Sequence, residues 1–270
     1  MPQIISTPDP RRAEKLAAFD RLLTIMDELR ENCPWDKKQT MESLRHLTIE
    51  ETYELGDAIL NNDLAEIRKE IGDIMLHLVF YARIASETNT FDIADVLNGL
   101  CDKLVSRHPH IYGEAQADTE EQVKKNWESL KLKEKGNKGV LSGVPSSLPA
   151  LIKAMRIQEK ARGAGFDWDE KDQVWEKVQE ELGEFQAETK AEIVDSKKVE
   201  GEFGDLLFSL INYSRFINVN PEEALERTNK KFIQRFSYLE TESKADGKQL
   251  STMTLDEMNE YWEKAKQFSK

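Results

Sequence analysis

One acidic pattern occurs twice in this chain, in the same order and followed by the same kind of segment. Glu50-Glu51-Thr52-Tyr53-Glu54 is followed by Glu70-Ile71-Gly72-Asp73 and an apolar run from Ile74. Glu180-Glu181-Leu182-Gly183-Glu184 is followed by Glu202-Phe203-Gly204-Asp205 and an apolar run from Leu206. Residues three apart share a helix face, so Glu51 pairs with Glu54 and Glu70 with Asp73. Glu181 with Glu184 and Glu202 with Asp205 repeat the arrangement. If the two helices of a copy are antiparallel neighbours, four carboxylates converge. Like charges ~4 Å apart repel by about 1 kcal/mol in water and about 4 kcal/mol near a protein surface. The pattern therefore calls for a cation. Mg²⁺, with Mn²⁺ as a substitute, is the hard divalent ion that suits carboxylate oxygen.

A single copy would say little. Glu222-Glu223-Ala224-Leu225-Glu226 has the same spacing and reads as a solvated first turn, favourable to the helix dipole. Recurrence in register is what counts, together with the second acidic pair opening an otherwise apolar helix. Carboxylates at the edge of a core are rare unless paired or metal-bound.

The repetition extends along the chain. Trp35-Asp36 matches Trp168-Asp169, and residues 70–84 match 202–216 with six identities in fifteen. Lys103 and Arg107 match Lys231 and Arg235, Trp127 matches Trp262, and Thr119 matches Thr254. The order is preserved throughout, as in a duplication. Residues 136–149, rich in glycine and proline, read as a linker. The expected architecture is all-α: two tandem, four-helix-bundle-like domains over 13–135 and 150–270, each with a carboxylate metal site. Hydrophobic periodicity predicts helices over about 40–60, 64–87, 91–107 and 120–135, then about 150–162, 170–191, 196–217, 221–242 and 255–268. Gly72 and Gly204 interrupt the helical pattern and read as points of close helix approach, compatible with room for a ligand.

Charge and cysteine usage narrow the function. A net charge of −13 over 270 residues argues against nucleic-acid or membrane-surface binding. Cys33 and Cys101 form no CxxC pattern, as expected in a reducing compartment. The N-terminus has no signal-peptide pattern, and the longest apolar run, Ile74 to Ala82, is too short to cross a bilayer. A cytoplasmic protein is expected. His77 lies four residues after Asp73, but Ser209 stands at that place in the second copy, so His77 reads as a residue of packing or of a local hydrogen bond. His108 and His110 also lack counterparts and read as structural.

With EExxE followed by ExxD on a doubled helical array, Cys33-Pro34-Trp35-Asp36 near the start and Arg107-His108-Pro109-His110 mid-chain, the sequence resembles the all-α nucleoside triphosphate pyrophosphohydrolases, and among them the MazG family. The resemblance spans about residues 15–268. It implies Mg²⁺-dependent hydrolysis of nucleoside triphosphates to the monophosphate and pyrophosphate, in a homodimer, with broad-specificity clearance of the nucleotide pool. It also implies metal ligands at Glu181, Glu184, Glu202 and Asp205, and at Glu51, Glu54, Glu70 and Asp73. Lys198, Lys231 and Arg235 match phosphate-contacting positions, and Trp262 a nucleotide-contacting aromatic. Glu180 is a candidate base or orienter of the attacking water. Lys198 has Glu66 as its counterpart, so the second half is expected to carry the main activity. A nucleotide sensor without turnover and a helical scaffold with solvated acidic faces are the alternative readings.

Overall fold

The computed structural model describes residues 7–115, 117, 119, 122, 123 and 139–268. All regular structure among them is helical. Of the expected helix over about 120–135 only residues 122 and 123 are described, both helical, with the Gln122 N–H donating to Thr119 Oγ1 at 3.3 Å; Trp127 falls outside the described residues. The chain divides into two compact units, 1–130 and 131–270.

The first unit contains α1 (Arg12–Asn32), α2 (Met41–Leu60), α3 (Leu64–Ser86), α4 (Ile93–Arg107) and the short α5 (Pro109–Tyr112). Side-chain oxygens satisfy the first free backbone N–H groups of α2 to α4. Thr40 and Ser43 form a reciprocal capping box at α2, Asp63 accepts from Ala65 and Glu66 at α3, and Asp92 and Asp95 form a second box at α4. Asn62, at φ 55°, supplies the left-handed residue that lets α3 fold back on α2. Proline stops α4 at Arg107 as expected. Pro109 then starts α5, where its missing N–H costs nothing.

Met26, Leu44, Val79 and Phe80 form the fully buried core of this unit, one or two residues each from α1, α2 and α3. Thr48 and Tyr81 hydroxyls, 2.6 Å apart, join α2 to α3 beside it. Arg30 secures the Cys33-Pro34-Trp35-Asp36 turn. Its guanidinium donates to the backbone oxygens of Asp36 and Gln39 and to both oxygens of Glu87, at 2.7 and 2.9 Å, and lies 5.8 Å from the Phe80 ring centroid.

The second unit contains α6 (Ala150–Gly163), α7 (Lys171–Thr189), α8 (Ser196–Phe216), α9 (Pro221–Ala245) and α10 (Leu255–Ala265). Asn220 caps α9 ahead of Pro221, and Thr254 with Glu257 caps α10. α7 packs along α8, as α2 does along α3, and α6 crosses α8 as α1 crosses α3. The Gln158 amide donates to the Phe208 carbonyl at 2.8 Å, tying α6 to α8. Tyr261 donates to Asp246 at 2.6 Å, which pushes its phenol up to about 12. The described part of the expected linker, 139–149, is a series of turns in which a Cβ on Gly143 would come within 3.1 Å of Lys160 Nζ. That segment is therefore packed on α6.

Arg30 yields a test. Replacing it by alanine leaves two backbone carbonyls without their charged donor and Glu87 with Arg83 alone, at 3.2 Å, and should cost about 2–3 kcal/mol. Arg30 holds the Glu87 carboxyl below its ordinary 4.5. A depressed carboxylate contributes its stability above the ordinary value and loses it as pH falls through the lowered one. The stability gap between the wild type and Arg30→Ala, measured by urea unfolding, should be full at pH 7 and shrink below pH ~4.

Candidate functional site

The fold brings the two acidic pairs of each copy together. In the first unit, one oxygen from each of Glu51, Glu70 and Asp73 lies within 4.8 Å of the others. In the second, Glu181, Glu184 and Glu202 do the same. The fourth acid of each set is close at hand. Glu54 adds to the field on Glu51, and Asp205 adds to that on Glu202. The core explains the position. Val79 and Phe80 anchor the later turns of α3 against α1 and α2, which leaves the first turns, with Glu70 and Asp73, opposite Glu51.

The electrostatics are those of a site short of positive charge. Burial, then the neighbouring Glu70 and Asp73, raises the Glu51 carboxyl above its ordinary value. Burial, then Glu184 and Asp205, raises that of Glu202. Glu70 is only 2% exposed, and its Oε2 has no hydrogen-bond partner among the described residues. A buried carboxylate oxygen left unpaired is costly, and three oxygens this close suit one hard cation. The residues therefore fit a divalent ion.

Each cluster has recruited a lysine that the sequence pattern does not single out. Lys69 Nζ lies 2.7 Å from Glu70 Oε1 and holds that carboxyl low. Lys177 Nζ lies 2.8 Å from Glu181 and 3.0 Å from Glu180. The Lys177–Glu181 spacing of four on α7 is a favourable helical pair and was the available signal. Glu180 is thus a neighbour of the cluster, bridged to it by Lys177. A cavity of about 190 Å³ opens beside the second cluster, with Glu181, Asp205, Lys177 and Trp168 among its walls. Trp168 stood out in the sequence only as a match to Trp35.

The other expected residues are distributed over α8, α9, α10 and α4. Lys231 and Arg235 lie on α9; Arg235 sits 5.9 Å from the Trp262 ring centroid, and Phe232 packs on the same ring at 4.9 Å. α9 packs on α10 and touches α6, while the carboxylates occupy α7 and α8. Lys198, in the first turn of α8, is exposed and lies 3.9 Å from Glu188. Lys103 is exposed on α4. A Cβ on Gly72 or Gly204 would meet nothing within 4 Å, so close helix approach inside a unit does not account for either glycine. Both leave open space beside an acid. His77 is buried, as a packing residue would be, and His108 Nδ1 contacts the Leu104 carbonyl at 2.6 Å.

A family model described as the MazG nucleotide pyrophosphohydrolase domain matches residues 39–112. The chain is 44% identical over 252 residues to a nucleoside triphosphate pyrophosphohydrolase/pyrophosphatase MazG of Thermotoga maritima, covering 92% of this chain and 95% of the relative. It is 40% identical over 254 residues to a nucleoside triphosphate pyrophosphohydrolase of Escherichia coli K12, covering 92% and 97%. A crystal structure of a MazG-related protein from Thermotoga maritima, 30% identical, covers 42% of this chain and 99% of its own, with a TM-score of 0.38. On the identity and coverage of these full-length relatives, the chain belongs to the MazG family of nucleotide pyrophosphohydrolases.

Proposed function

We propose that the protein hydrolyses nucleoside triphosphates to the monophosphate and pyrophosphate, with Mg²⁺ as its ion and broad base tolerance suited to clearing the nucleotide pool. The observation that carries this reading is the pair of converging acidic clusters, one with a buried, unpartnered Glu70 oxygen. Glu181, Glu184, Glu202 and Asp205 would hold the ion in the second unit, and Glu51, Glu54, Glu70 and Asp73 in the first. When bound, Mg²⁺ supplies Lewis-acid polarisation of the phosphate oxygens. Lys198, Lys231 and Arg235 would neutralise the remaining triphosphate charge, with Trp262 against the nucleoside. Glu180 would accept the proton of the water attacking the α-phosphorus, and Lys177 would hold it in place.

Assembly as a homodimer is part of the reading. Phe232 and Ile233 on α9 are 56% and 63% exposed, and α4 exposes Val96, Leu97, Leu100 and Leu104. Apolar surface on this scale marks an interface. A second copy would also offer the Lys231–Arg235–Trp262 group a carboxylate cluster to face. Among the described residues no helix is long and apolar enough to cross a membrane.

Three measurements test the reading. Mg²⁺ should raise the melting temperature. Glu202→Gln should raise it without the ion, by relieving repulsion, and abolish the response to Mg²⁺; an unaltered response would remove Glu202 from the site. With a panel of triphosphates, Glu184→Gln/Asp205→Asn should lose nearly all pyrophosphate release. Glu54→Gln/Asp73→Asn should keep a substantial part, because the first unit has Glu66 where the second has Lys198. The opposite ranking would overturn the assignment of the main site. Light scattering should give twice the 31.1 kDa chain mass; a monomer at micromolar concentration contradicts the dimer.

A further inference from the structure

The cavity beside Glu181 and Asp205 has a polar end that the phosphate chemistry leaves unused. Ser209 and Asn212, one and two turns beyond Asp205 on α8, line it together with Trp168, Val174 and Phe208. Asn212 is 5% exposed. Its Oδ1 accepts from Arg215 Nη2 at 2.8 Å. Arginine has only donors, so the amide cannot be turned the other way. Arg215 is itself fixed by Asp167, with one of its two bonds at 2.7 Å. This chain of contacts leaves Asn212 Nδ2 as the free end of the amide, with no hydrogen-bond partner among the described residues. The amide donor lies on a wall of the cavity, where an acceptor on a ligand can reach it.

We infer that Asn212 reads the base of the nucleotide. A planar heterocycle enters the cavity between the apolar walls, and Asn212 Nδ2 donates to a carbonyl oxygen or ring nitrogen on its edge. The cavity is smaller than the several hundred Å³ of a drug-sized pocket, as suits one heterocycle with its phosphates outside at the acids. The first unit supplies the contrast. Residues 70–84 align with 202–216, which puts His77 at the place of Ser209 and Phe80 at that of Asn212. Phe80 is 2% exposed and sits in the core against Leu44. The first unit thus keeps the acids and fills the position from which a base would be read.

The inference rests on the triphosphate reading above, and its test separates the two. Asn212→Asp retains an oxygen for Arg215 and exchanges the amide donor for a second acceptor. Its kcat/KM for nucleoside triphosphates should fall by about tenfold or more. The Ki of inorganic tripolyphosphate, a competitor without a base, should stay unchanged. Asn212→Phe, which installs the residue of the first unit, should behave alike. A parallel change in both quantities, or no change in either, overturns the role of Asn212. If the wild type releases no pyrophosphate, the proposed reaction fails instead. Calorimetric titration of a nucleoside triphosphate and of tripolyphosphate into the same variants then still decides whether Asn212 reads a base.

Discussion

Two packed helices that present carboxylates to each other need a positive charge between them, and much of this molecule is arranged around that need. The acids do not hold the helices together. In the first unit, the interlocking of Met26, Leu44, Val79 and Phe80 does so, and that apolar contact fixes where the first turns of α3 must lie. Glu70 is then held buried, 2% exposed, against Glu51 and Asp73. Burial of apolar area supplies about 25 cal/mol per Å², enough over a whole core to impose an electrostatic strain at its edge. The strain is relieved by whatever cation enters.

The two lysines show that the requirement is physical. Lys69 comes from α3 and Lys177 from α7, and neither is the counterpart of the other. The places that correspond are Gly201 and Leu47. Each unit has found its own monovalent stand-in, from a different helix, for the same excess of negative charge. One ammonium on a flexible stem engages one or two oxygens. A divalent ion carries twice the charge and gathers six or more, so it would displace the lysine from the cluster and leave it for other anions.

The helices and the acidic clusters were legible because both follow from short-range rules. Helical spacing placed Glu51 and Glu54 on one face, and the apolar run after Asp73 marked the buried half of α3. The helices expected from 221 and 255 are present, starting at the caps Asn220 and Thr254. What sequence could not supply was contact between residues distant along the chain. Helical spacing could pair Lys177 with Glu181, but it could not show Glu202 of α8 closing on the same acids. Asn212 carried no signal at all, since its orientation depends on Arg215 and through it on Asp167, 45 residues upstream. Gly72 and Gly204 misled for a related reason: a glycine in a helix signals missing bulk but does not say whether a neighbour or open space lies beyond it.

The same arginine shows how the units have come to differ. Arg83 and Arg215 occupy matching places near the ends of α3 and α8. Beside Arg83 stands Phe80, and the arginine is bound instead to Asp27 and Glu87 at the rim of the core. Beside Arg215 stands Asn212, and the arginine orients an amide toward a cavity. Burying a phenylalanine there is worth about 1.5–3 kcal/mol, whereas a buried amide gains little unless both ends are bonded. The first unit has thus taken stability where the second has kept space. On the proposed reading, acids retained in both units with space retained in one would let the second unit recognise a whole nucleotide, while the first would hold only an ion and phosphates.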